Sequence, residues 1–137
     1  MSKRNAVVDT PTNKEMQQSI ASFQSLSAAL LILGELAPER MTLSQAVFFI
    51  LAGSADLTGK KTTFTDIKDK VGDTLNRSLH TTYRILMRPS RQYPKGLGWL
   101  DSEVNPDDNR VKFLRLTPEG RRVMQTVANA LISHASE

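Results

Sequence analysis

Asn105 to Asn109 reads NPDDN, a run of residues that favour tight turns. Before it, Trp99 to Val104 reads as a strand with Trp99 alternating against Leu100. After it, Arg110 to Leu116 sets Arg110, Lys112, Leu114 and Leu116 against Val111, Phe113 and Arg115. Period-two alternation on both sides of such a turn makes a β-hairpin over 99–116. Nearly everything else with a pattern repeats at helical spacing, so the fold class is mainly α with a small β-hairpin.

The helices are marked by their caps. Thr12 with Glu15 is a capping box, and Met16, Ile20, Phe23, Leu26, Leu30, Leu33 and Leu36 then carry one helix of about 25 residues to Pro38. Its second half is apolar on more than one face, which implies a second partner. Thr42 and Gln45 open another helix, expected to stop at Gly53–Ser54, with a loop from Ala55 to Lys61. Thr62-Thr63-Phe64 is a candidate short strand. Thr65 or Asp66 then caps a two-turn helix with Ile67 and Val71 inward and Gly72 as its stop. Leu75, Leu79, Tyr83 and Leu86 form the buried stripe of a further helix over 74–88, ended by Pro89. Thr117 and Pro118 start the last helix, in which Val123, Met124, Val127, Ala128, Leu131 and Ile132 recur as adjacent pairs. These boundaries give a tail at 1–11 and a single domain at 12–137.

Charge is distributed unevenly. Residues 1–76 hold eight Lys/Arg and eight Asp/Glu, whereas 77–122 hold ten and five, a local excess of +5. From Thr74 to Leu100 there is no acidic residue, yet Arg77, Arg84, Arg88, Arg91, Lys95 and the titratable His80 all fall there. Such a block points to an anionic partner, with nucleic acid ahead of membrane because no basic amphipathic helix with bulky anchors accompanies it. The absence of cysteine excludes disulfides and thiolate metal sites, and the two histidines form no HxxxH or HxxE pattern, so no metal is expected. No nucleophile–base pair, no cleft-forming carboxylate pair and no phosphate-cradling glycine loop is legible, so neither an enzyme nor a cofactor is expected. No stretch is apolar enough for a signal h-region or a membrane span, which places the expected location in the cytoplasm.

Helix, helix, short strand, helix, helix, two-stranded wing, helix is the order of a winged helix-turn-helix with extra terminal helices. In detail the chain resembles the MarR-type regulators. The resemblance is carried by MTLSQAVFFILAG (41–53), FTDIKDKVG (64–72) and KGLGWLDSEV with NPDDNRVKFLRLTPEGRRVM (95–124). Within the last segment, Asp108-x-Arg110 and Leu116-Thr117-x-x-Gly120 match the family's wing and post-wing pattern. Three departures stand out: a longer turn into the recognition helix, an insertion from Pro89 to Pro94, and no sensing cysteine.

The resemblance implies a homodimeric, sequence-specific regulator of transcription that binds double-stranded DNA, expected to act as a repressor. Residues 41–117 would be the winged-helix core. Residues 12–38 and 118–137 would be dimerisation helices, with Ile20, Phe23, Leu30, Val127 and Leu131 at the interface; otherwise both helices only cover one monomer's core. Asn76, Arg77, Ser78, His80, Thr81 and Arg84 supply base-edge donors and acceptors for the major groove. Arg88, Arg91 and Lys95 suit phosphates, while Lys112 and Arg110 lie on the wing, Arg110 resembling the family's minor-groove arginine. Effectors in that family often bind between the dimerisation helices and the DNA-binding domain, but no pocket residue is assigned. The alternative is a winged-helix accessory protein of replication, recombination or protein interaction that binds DNA without operator specificity.

Overall fold

The computed structural model describes residues 10–37, 41–72 and 83–135. Among them are five α-helices, one 3₁₀ turn and a two-stranded hairpin: α1 (Asn13–Gln18), α2 (Ile20–Leu36), α3 (Leu43–Leu57), α4 (Phe64–Val71), the turn Tyr83–Leu86, β1 (Leu100–Asn105), β2 (Asp108–Leu116) and α5 (Pro118–Ala135). The mainly α architecture with one hairpin is the one expected.

Three helices open on the same reciprocal device. Thr12 and Glu15, Thr42 and Gln45, and Thr63 and Asp66 each exchange side-chain and backbone hydrogen bonds, satisfying two otherwise orphaned N–H groups per helix. The third corrects the sequence reading, because the cap of α4 is Thr63 rather than Thr65 or Asp66. Phe64 is therefore helical, and the expected strand at 62–64 shrinks to a single bridge between Thr63 and Phe113.

The long first helix is also corrected. Ser19 interrupts it with φ −94° and ψ 4°, and its hydroxyl donates back to the Glu15 carbonyl at 3.3 Å. That bond satisfies the carbonyl locally and ends α1, and α2 starts afresh. The helix opened by Thr42 does not stop at Gly53–Ser54 but runs to Leu57, because Gly53 serves another purpose. A Cβ there would meet the Met124 side chain at 3.1–3.3 Å, so the glycine lets α5 approach α3.

Helix α3 organises the core because it is buried on two sides. Phe48 and Phe49, both fully buried, are neighbours about 100° apart around the helix. Phe48 meets Phe64 and Tyr83 (ring centroids 5.5 and 5.8 Å), and Phe49 meets Trp99 at 5.0 Å. The first contact seats α4 and the 3₁₀ turn; the second seats the base of the hairpin. Trp99 is 3% exposed, so it packs the hairpin onto the body. Helices α2 and α5 lie against each other, with Ala29 and Leu33 facing Val123 and Val127 within one buried cluster.

The hairpin is antiparallel with Leu100 opposite Leu116 and Ser102 opposite Leu114. Its chain reversal is shorter than NPDDN, since Asp108 already pairs with Asn105. Both edges are engaged: the Leu114 N–H donates to the Thr62 carbonyl at 2.8 Å, and Met87 bridges Leu100 in parallel. Covering both edges satisfies strand groups that would otherwise be open to pairing with another chain.

Candidate nucleic-acid interface

The expected recognition helix, 74–88, falls mostly outside the described residues. Asn76, Arg77, Ser78, His80 and Thr81 lie there. What is described corrects its C-terminal end. Residues 83–86 form a 3₁₀ turn, Met87 is bridged to β1, and Arg88 lies outside any helix or strand. The cause is visible in the backbone: Leu97, Gly98 and Trp99 N–H groups donate to the carbonyls of Ile85, Met87 and Leu86 at 2.6, 3.0 and 2.9 Å. These bonds tie the incoming chain to the hairpin and take carbonyls that a continuing helix would have used. Gly96 is needed beside them, since a Cβ would strike the Met87 carbonyl.

At the hairpin tip the Asn105 side chain accepts from the Asp107 N–H at 2.9 Å, closing the turn. Asp108 then accepts three times from Arg110: from its N–H and Nε, both at 3.1 Å, and from Nη2 at 3.3 Å. The Arg110 side chain hydrogen bonds, followed by its backbone N–H, hold the Asp108 carboxyl below its ordinary value. The Arg110 side chain nevertheless stays 90% exposed, so its guanidinium is oriented by its own strand while remaining open to a partner.

Arg110 and Lys112 share a trough of about 530 Å³ with Tyr83 and Met87, together with Thr63, Phe64 and Thr65 at the start of α4 and Ser102, Val111 and Leu114 on the hairpin. The end of the 74–88 segment and the cationic strand therefore line one concavity. Arg84 is exposed next to Tyr83.

The other expected phosphate contacts do not gather there. Arg88 donates from Nε to Asp101 at 2.8 Å, beside Glu103 and Arg115. Arg91 and Lys95 are exposed on the 89–95 loop, where Lys95, Tyr93 and Ile85 border a separate hollow. Arg115, on β2, is a structural tie. Its Nε donates to Asp56 at 2.7 Å and its Nη1 to Glu103 at 3.1 Å, while Asp56 also accepts from the Leu116 N–H at 2.9 Å. The hydrogen bond and charge of Asp56, then the charge of Glu103, raise the Arg115 pKa and fix its cation in place.

Ser102 and Thr65 were not among the sequence candidates. Ser102 could have been found from register, since it pairs with Leu114 and so shares the inward face of the hairpin. Thr65 was hidden by being read as a cap. Lys61, which stands 5.4 Å from the centroid of the Phe113 ring, lies outside the charge block altogether.

Of the expected interface residues, Val127 is corrected: at 3% exposure it belongs to the protomer's own core. Ile20, Phe23, Leu30 and Leu131 are all exposed. At about 100° per residue, Ile20 and Leu31 fall opposite buried Ser25, Ala29 and Leu33 on α2, Phe23 and Leu30 lie to one side, and Leu26 borders the buried stripe. Among the described residues, no helix is long and apolar enough to cross a membrane. No protein family, curated protein or solved structure matches the chain.

Proposed function

We propose that this chain is a sequence-specific double-stranded DNA-binding regulator of transcription, acting as a homodimeric repressor of MarR type. The 74–88 segment would read the major groove and the wing the adjacent minor groove. The observation that carries the reading is the shared trough, in which Tyr83 and Met87, from the end of the recognition segment, stand with Arg110 and Lys112 of the hairpin. A duplex engaged by one is within reach of the other. Arg110 supports it further, being both held by Asp108 and open to solvent, so little side-chain freedom is lost when it enters a narrow groove.

The dimer is supported by the outer face of α2. Ile20, Phe23 and Leu30 are 43–54% exposed, with Leu26 at 56% and Leu31 at 65% beside them, while Leu131 and Ile132 are exposed on α5. An apolar stripe of this kind on a charged protein marks an interaction surface. A second copy covering it would set two recognition segments about 10 base pairs apart, giving an operator with two-fold symmetry.

Enrichment of bound sequences from a random duplex pool tests this reading. A palindromic consensus with A·T-rich flanks is expected. Binding with no consensus would replace the regulator by the accessory DNA-binding protein, and no binding would remove DNA from the function.

A further inference from the structure

The trough beside the wing holds more hydrogen-bond donors than a minor-groove arginine requires. Its described lining includes the hydroxyl-bearing residues Thr65, Ser102 and Tyr83 together with Lys112, and no aspartate or glutamate. Among the described residues, none of these four side chains makes a hydrogen bond or ion pair with protein, in contrast to Arg88, Arg115 and Arg122, which are all engaged by carboxylates. The rest of the lining includes the apolar residues Phe64, Met87, Val111 and Leu114.

We infer that this trough seats the sugar–phosphate backbone of one DNA strand, with Lys112 neutralising a phosphate and the Thr65 and Ser102 hydroxyls donating to its non-bridging oxygens. The inference rests on the DNA-binding reading above and adds to it a specific strand contact. Phosphodiester oxygens are acceptors only, and hydroxyls with lysine ammonium are among the groups that contact them in protein–DNA interfaces. A concave surface lined by one sign of charge over low-dielectric walls concentrates the field on such an anion. The deoxyribose rings would pack against the apolar part of the lining. A small-molecule effector fits less well, because Thr65, Ser102 and Lys112 are all exposed and pockets for such ligands bury most of the ligand's surface.

The contact makes a strand-positioning element, so removing it should weaken all duplexes alike. The test is fluorescence anisotropy of a labelled mixed-sequence duplex and of an enriched site, each titrated across a range of NaCl concentrations. Lys112→Ala should reduce the steepness of log affinity against log salt by about 0.9 per bound protomer. Ser102→Glu, which sets a carboxylate against the phosphate, should weaken both duplexes by about tenfold or more, and Ser102→Ala by a smaller factor in the same direction. Thermal melting of each variant checks that the fold is intact; the two milder substitutions carry the test if Ser102→Glu does not fold. Wild-type affinity and slope in Lys112→Ala and Ser102→Ala would overturn the trough contact while leaving DNA binding in place. A loss confined to the enriched site would overturn it too, since that is base reading. Failure of the wild-type protein to bind either duplex would overturn the parent reading with it.

Discussion

Gly120→Ala should be among the most damaging single substitutions in the chain, and the reason is one close approach. Helix α5 begins at Pro118, and its first turn is pressed against the start of the wing. A Cβ on Gly120 would overlap the Trp99 carbonyl oxygen and lie 2.8 and 3.1 Å from Trp99 C and Cα. Backbone cannot rotate away as a side chain can, so α5 must lift. Lifting it strains the Thr117 N–H bond to the Trp99 carbonyl (3.1 Å) and the Thr117 hydroxyl bond to the Gly98 carbonyl (2.5 Å). Overpacking costs about 1–3 kcal/mol and each weakened hydrogen bond about 1, against a gain of about 1 for alanine in a helix. The net loss is about 2–4 kcal/mol, which for a chain of this length lowers Tm by roughly 12 °C. Gly34→Ala is the matched control. It too lies in a helix, but nothing is within 4 Å of its Cβ position, so it should raise Tm by roughly 3 °C. Scanning calorimetry on both variants reads the pair. If Gly120→Ala melts within a degree or two of wild type, the wing is not braced against α5 in the manner described.

Arg110→Ala should weaken binding by roughly 1–3 kcal/mol, most at sites with A·T-rich flanks; equal affinity for those sites would take the wing out of the interface. Leu131→Asp and Phe23→Asp should each give a monomer by sedimentation and lose binding to a full two-fold site, and a variant that stays dimeric would show the interface lies elsewhere. Because Arg110 holds the Asp108 carboxyl below its ordinary value of 3.8, their pair should be intact above that pH and be lost only as pH falls below it. An NMR titration of Asp108 with a midpoint at or above 3.8 would contradict that geometry.

The legible parts of the fold were those written in local patterns. Capping boxes, apolar spacing and the NPDDN turn locate the helical stretches at 13–36, 43–57, 64–71 and 118–135 and the hairpin, because each signal acts within a few residues. Features set by distant neighbours were misread. Gly53 looks like a helix stop, yet it is a contact surface for Met124, which lies 71 positions further on in the sequence. Val127 and Leu131 are one helical turn apart and equally apolar, yet only Val127 reaches the protomer's core. Thr63 and Thr65 both offer a cap, and only the partner Asp66 three residues after Thr63 decides between them.

The charge block teaches the same lesson for the site. Read linearly, ten basic residues between 77 and 122 form one cationic face. In three dimensions Arg88 is bound to Asp101, and Arg115 to Asp56 and Glu103. Those guanidiniums support the fold and contribute little to an external field, because each carries its counter-charge within a hydrogen bond. Arg110 is paired as well, but with a residue two positions away on its own turn, which orients the guanidinium and leaves it exposed. Lys112, Arg84 and Arg91 carry no such partner among the described residues. A cation that bridges distant elements holds structure, whereas one that is unpaired, or paired only within its own turn, stays available to phosphate. On that distinction the surface proposed to bind DNA keeps Arg110 and Lys112 on the inner side of the hairpin and leaves out Arg88 and Arg115, so it is narrower than the run of arginines in the sequence.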